Sequence, residues 1–356
     1  MNIDYPVFLK ELLETTIRQQ ASDLHISPNH NPIVRISGRL IPLIKLKPIT
    51  PEESVALAKL MMGGDRFETF LATKEMDFSY DHEGKARFRV NVYYQKGVVS
   101  SALRLIPKNI SSIDELNLPV LLHDFTKAAQ GFVIITGPSS HGKSTTLAAL
   151  IDEINHTRAD HVITIEDPIE YIFTDDKSII DQREVGQDTN SFSLALKATF
   201  RQDPDVIMVG EMRDSDTIST AITAAETGHL VFATLHTNSA SQTIHRIVDS
   251  FPPEQQNQVR VQLASSLLGI VSQRLVPRTK GGLIPACEVM LNNPAVSNLI
   301  RENKIHELDL VIETSAEMGM ISLNRSLSNL VRLREISLVS ALTYSLSPNE
   351  LRRLFK

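Results

Sequence analysis

The 356-residue chain has one cysteine, Cys287, and no tryptophan, and aromatic residues make up only 5% of it. A single thiol excludes an intrachain disulfide framework and any zinc site built from several thiolates, and it fits a reducing compartment better than an oxidising one. Cys287 itself reads as a core residue rather than a nucleophile. No stretch reaches the roughly 20 apolar residues that a membrane-spanning helix needs. The longest candidate, GFVIITG, has the length of a buried strand. The start, MNIDYPVFLKELLETTIRQQ, sets acids among its apolar residues and lacks the basic start and apolar run of an export signal. These absences lead us to expect a cytoplasmic protein that is not inserted into a membrane and reaches one only through a partner. Nucleic acid is not an expected partner either. The formal net charge is -6, and rings to stack on bases are scarce, whereas single-strand binders combine basic grooves with aromatic platforms.

What is present suits a globular chain: 42% hydrophobic and 22% charged residues, over a length that exceeds one ordinary core. Thr50-Pro51-Glu52-Glu53 sets a capping threonine, a proline at the first helical position and a glutamate at the third ahead of an apolar-periodic run to Met62, which predicts a helix. The segments 33–40 (IVRISGRL), 87–94 (RFRVNVYY) and 98–106 (VVSSALRLI) alternate with the period of half-buried strands. Residues 1–106 therefore predict a small α+β domain, and the proline-bracketed, polar stretch 107–119 a connector. Over 120–293, apolar runs of strand length (GFVIITG, HVITIED, DVIMVGE, LVFATLH) alternate with helical stretches, the pattern of a mostly parallel sheet in an α/β domain. Amphipathic helical segments fill 294–356.

Gly137-Pro138-Ser139-Ser140-His141-Gly142-Lys143-Ser144 matches the G-x-x-x-x-G-K-[ST] phosphate loop, with an apolar strand before it and a helical run from Thr145 after it. Glycines at both ends let the backbone turn its amides onto phosphates, and the following helix adds its positive N-terminal dipole. Lys143 supplies a full charge for the β and γ phosphates of ATP, and the Ser144 hydroxyl a ligand for magnesium. His141 is unusual in such a loop and reads as a tolerated variable position rather than a base. DVIMVGEMRD ends in Glu211, the carboxylate available to the metal, because Gly210 stands where an aspartate is usual. Glu166 closes another strand, with Asp167 and Glu170 beyond it. These acids either polarise the attacking water or cap the following element. His229 and His236 flank one buried strand, seven residues and about 23 Å apart, too far to share a metal.

Together these blocks resemble the secretion-superfamily ATPases, and within them the twitching-motility group that retracts type IV pili. The likeness runs through ASDLH, ISGRL, RFRVN, ALRLIP, the phosphate loop, ITIEDPIEY, QREVGQDT, RQDPDVIMVGEMRD, TGHLVFATLHTNSA and FPPEQQNQVR. The resemblance implies a PAS-like amino-terminal domain joined to a RecA-like motor, six copies forming a ring with ATP and magnesium between subunits. It implies an inner-membrane platform protein as partner at the cytoplasmic face, with a paralogous retraction ATPase as a further one. By position, Lys143 and Ser144 match the Walker A pair, with Gly137, Ser139, Ser140, His141, Gly142 and Thr145 completing the nucleotide contacts. Glu166 matches the water-activating glutamate, Glu211 the Walker B acid, His229 the histidine-box residue, and Arg89 and Arg104 the arginines that reach ATP from the amino-terminal domain. The loop departs from the group's usual GPTGSGKS at Ser139, Ser140 and His141; the tail SPNELRRLFK resembles the group's accessory branch, whereas GEMRD and HTNSA resemble its main retraction branch.

Overall fold

A computed structural model of the chain describes residues 4–36, 38–106 and 109–355. It divides into two compact units, Met1–Asn109 with Asp167–Ile172, and Ile110–Glu166 with Phe173–Lys356.

The first unit is α+β. Helix α1 (Tyr5–Arg18) leads into strands β1 (Asp23–Ile26), β2 (Ile33–Ile36) and β3 (Arg39–Pro42). Helices α2 (Pro51–Met62) and α3 (Gly64–Thr73) follow, then β4 (Glu75–His82), β5 (Ala86–Gln95) and β6 (Val98–Ile106). The strands form one antiparallel sheet in the order β3-β2-β1-β6-β5-β4. Along β5 the alternation is strict: Phe88, Val90 and Val92 are buried, while Arg87, Arg89 and Asn91 face the other way. The buried row joins Leu12 and Leu13 of α1, Leu57 of α2 and Phe70 of α3 in one core. Helix α2 starts as expected. Thr50 accepts the Glu53 N–H and the Glu53 carboxylate accepts the Thr50 N–H, a complete capping box. The expected single strand 33–40 is instead the hairpin β2–β3, turned near Gly38.

The second unit is built on helix α4 (Leu122–Lys127), β7 (Gly131–Thr136), α5 (Lys143–Thr157), β8 (His161–Glu166), β9 (Ile179–Glu184) and α6 (Phe192–Thr199). Next come β10 (Val206–Val209), α7 (Ser215–Glu226), β11 (Leu230–Leu235), α8 (Ala240–Asp249) and α9 (Pro253–Ser266). The long strands β12 (Leu267–Pro277) and β13 (Leu283–Leu291) precede α10 (Pro294–Arg301), α11 (Leu308–Thr314), α12 (Leu323–Arg332), α13 (Leu338–Tyr344) and α14 (Pro348–Arg353). The sheet order is β13-β12-β7-β11-β10-β8-β9, parallel except for the antiparallel edge strand β13. Every residue of β7, β10 and β11 is buried, which is why these strands read as unbroken apolar runs. The pair β12–β13 was not separately predicted. Its outer end carries Val276, Ile284 and Ala286 into a smaller core with Leu327, Ala341 and Leu351 of the C-terminal helices and Ile336 between α12 and α13.

Two features depart from the expected division. Within the connector, Pro107 and Lys108 lie outside the described residues, and the apolar side chains of Ile113 and Leu118 are buried. The segment Asp167–Ile172, expected inside the α/β domain, belongs to the amino-terminal unit, where Glu170 pairs with Arg89 at 3.2 Å.

Candidate nucleotide site

The chain leaves β7 at Thr136 and regains helix at Lys143. Gly137 has φ +145, and a Cβ there would stand 2.3 Å from the backbone oxygen of Gln273 on β12, so only glycine fits. Ser139 and Ser140 are exposed, whereas His141, Gly142, Ser144 and Thr145 are half-buried. Lys143 is buried and folds back over the loop, donating to the carbonyls of Gly137 at 2.9 Å and Pro138 at 3.0 Å.

The Lys143 ammonium also lies 3.3 Å from His236 Nδ1. An ammonium has no lone pair, so Nδ1 accepts and the ring proton sits on Nε2. That nitrogen is 3.2 Å from Glu211 Oε1. His236, one residue past β11, thus stands between the phosphate-loop lysine and the acid beyond β10. Ser139 Oγ lies 3.4 Å from the same Nδ1. Burial opposes ionisation of Glu211, yet Arg213 at 2.9 Å and His236 together hold its carboxyl below the ordinary carboxylate range.

Gly210 has a local explanation. A Cβ at that position would lie 3.1 Å from the Ile165 oxygen and 3.4 Å from Glu166 Cα on the neighbouring strand β8, so a side chain there is crowded by the β8 backbone. The carboxylate at this strand end is that of the next residue, Glu211, and the Thr234 hydroxyl on β11 donates to the Gly210 carbonyl. Glu166, the last residue of β8, is buried and accepts from the Thr164 hydroxyl at 2.7 Å and the Gln182 amide at 3.2 Å. The adjacent strands β8, β10, β11 and β7 therefore carry Glu166, Glu211, His236 and the phosphate loop at one carboxyl edge, where parallel sheets bind ligands.

His229 precedes β11 and so occupies the opposite, amino-terminal edge of the sheet, where its carbonyl accepts the Gly131 N–H at 3.0 Å. Its Nδ1 donates to Ala224 O at 2.9 Å and its ring meets Phe200 edge-on. Within this chain, six strand residues at about 3.3 Å each separate it from the phosphate loop. The histidine that reaches the loop within this chain is His236, which the sequence analysis set beside His229 without placing it among the site residues. Gln273 was missed. Its side chain accepts from Thr146 Oγ1 at 2.7 Å and donates to the His141 carbonyl at 2.9 Å, bracing the loop against β12.

In the amino-terminal unit, strand registers set Arg35, Asp23, Arg104 and Arg89 in one row across β2, β1, β6 and β5. Asp23 accepts from Arg104 Nε at 3.0 Å and neighbours Arg35 at 3.5 Å. Arg104 keeps two-thirds of its side chain exposed, while Arg89 is tied to Glu170.

Residues 5–309 match the type II/IV secretion system protein family. The chain belongs to this family. It is 43% identical over 323 residues to the type IV pilus retraction ATPase PilT of Pseudomonas aeruginosa, covering 91% of this chain and 94% of the relative. It is 40% identical over 348 residues to the type IV pilus ATPase PilU of the same organism, covering 98% and 91%. A crystal structure of the pilus retraction motor PilT with bound ADP superposes with a TM-score of 0.89 at 46% identity, over 97% of this chain and 98% of that one. The family match spans both units, from α1 to α11, so this secretion-family ATPase has an amino-terminal domain as well as a RecA-like P-loop domain. Among the described residues no helix is long and apolar enough to cross a membrane.

Proposed function

We propose that this chain is the ATP-driven motor of type IV pilus retraction, working as a ring of six copies at the cytoplasmic face of the membrane through a platform protein. The observation that carries this reading is end-to-end similarity to PilT combined with a carboxyl edge that assembles Lys143, His236, Glu211 and Glu166. In this reading Lys143 exchanges its loop carbonyls for the β and γ phosphates as ATP enters. Glu166, held by Thr164 and Gln182, accepts a proton from the attacking water, and His236 relays the loss of the γ phosphate from Lys143 to Glu211. Arg89 and Arg104 supply positive charge to the nucleotide from the amino-terminal unit.

The donor set fits magnesium, because an ionised Glu211 carboxylate and the Ser144 hydroxyl offer the hard oxygens that ion prefers. Ser144 and Glu211 would hold it, and when bound it neutralises charge building on the β and γ phosphates.

The test is ATP turnover of the wild type beside Lys143→Ala and Glu166→Gln, with complementation of a retraction-deficient strain. Lys143→Ala loses nucleotide affinity and at least about a hundredfold in rate. Glu166→Gln keeps binding and loses about 10²–10⁴ in rate. Turnover that persists in both variants overturns the assignment. A second reading is favoured by one observation: the PilU match extends over 98% of this chain. As a PilU-like accessory ATPase, the chain would bind ATP, turn over slowly alone and act beside a paralogous retraction ATPase. Autonomous turnover and complementation separate the two.

A further inference from the structure

The residue that sequence reasoning set aside as variable is fastened on three sides. Strand β7 stops at Thr136, opposite Ser272, but β12 continues to Pro277. Past that point the Leu275 N–H has no partner on a neighbouring β7. It donates instead to His141 Nδ1 at 2.9 Å. On the next turn of the loop, the His141 carbonyl accepts from the Gln273 side chain, two residues earlier on β12. The imidazole also meets the Tyr344 ring of α13 edge-on, at 6.3 Å between ring centres.

We infer that His141 is a positioning residue of the phosphate loop, whose Nδ1 caps the unpaired edge of β12 and so sets the loop conformation that receives phosphate. It touches no phosphate itself through this nitrogen, and acts through the backbone of Ser140, Gly142 and Lys143. Acceptance at Nδ1 requires a neutral ring protonated on Nε2. Burial, with the Arg274 and Lys143 charges nearby, disfavours the imidazolium and so supports that form. A short hydroxyl at this position does not reach the Leu275 amide, because the imidazole spans the gap with a ring.

The inference rests on the chain binding nucleotide at this loop, so its test separates binding from hydrolysis. His141→Ala removes the acceptor. His141→Asn restores one, since its side-chain oxygen occupies the place of Nδ1 relative to the backbone. For each protein, the dissociation constant for a fluorescent ADP analogue and the KM and kcat for ATP are measured. We expect His141→Ala to weaken ADP binding and raise KM about tenfold, the effect of one buried donor left unpaired, with kcat within about twofold. His141→Asn stays within about twofold of the wild type in all three. If the two variants weaken binding equally, or if only kcat falls, the positioning role is overturned. Should His141→Ala not fold, His141→Ser provides the same comparison with Asn. A wild type that binds ADP without hydrolysing ATP removes the motor reading, while the binding comparison still decides this one.

Discussion

At the scale of single residues, the nucleotide edge is a set of close fits rather than a set of charges. Gly137 is the tightest, with a backbone carbonyl where any side chain would begin. Gly137→Ala must push the loop away from β12, and a displacement of about 1 Å at a phosphate site costs about a hundredfold in turnover. Steady-state ATP hydrolysis checks this, and an active variant would mean that β12 yields. Glu211 provides a pH prediction with a definite sign. Its carboxyl titrates below the ordinary value of 4.5, so Glu211 stays ionised above that value and its part in the Lys143–His236–Glu211 arrangement is lost as pH falls through the depressed one. Acid inactivation from this group therefore begins below about pH 4.5, and an Arg213→Ala variant loses activity at higher pH than the wild type. Cys287 behaves as a core atom: it is fully buried, and burial pushes its thiol up to about 12, far from nucleophilic chemistry.

Among elements, β12 and β13 do more than close the sheet. Strand β12 braces the phosphate loop through Gln273 and Leu275, and Ser272 donates to the carbonyl of Asn238, two residues past His236. Strand β13 carries Glu288, which is buried and accepts the Ala240 N–H at 2.8 Å at the start of α8. Burial pushes this carboxyl up to about 7. The native state then keeps a proton that the unfolded chain releases near 4.5, so stability falls as pH rises from about 4.5 to about 7. Against Glu288→Gln, the wild type should lose about 2–5 °C of relative melting temperature across that interval. Thermal melts at pH 5 and pH 8 test it, and parallel profiles would show that Glu288 titrates normally.

For the whole molecule, the two units differ in how they present charge. The amino-terminal unit lines up Arg35, Asp23, Arg104 and Arg89 across one sheet face, and the second unit gathers Glu166, Glu211 and His236 at one sheet edge. In the ring we propose, light scattering with nucleotide gives about six times the monomer mass. Arg104→Ala, whose side chain is mostly exposed, lowers kcat by at least about tenfold while the protein stays folded at the assay temperature, which its melting curve checks. A monomer that turns over ATP at the wild-type rate would exclude a shared site.

The sequence by itself determined the elements whose signals are local. The capping box at Thr50 and Glu53, the alternation in β5, and the apolar runs of β7, β10 and β11 are properties of a few consecutive residues. So is the phosphate loop, because its glycines, lysine and serine are adjacent in the chain. Only the tertiary structure decided which histidine faces that loop, since the direction of β11 relative to β7 separates His236 from His229. It alone explained Gly210 and joined Asp167–Ile172 to the amino-terminal unit, for both depend on a neighbour distant in sequence. His141 shows the reason most plainly. Its partner Leu275 lies 134 residues away, and no periodicity in the sequence records which strand end will be left without a neighbour.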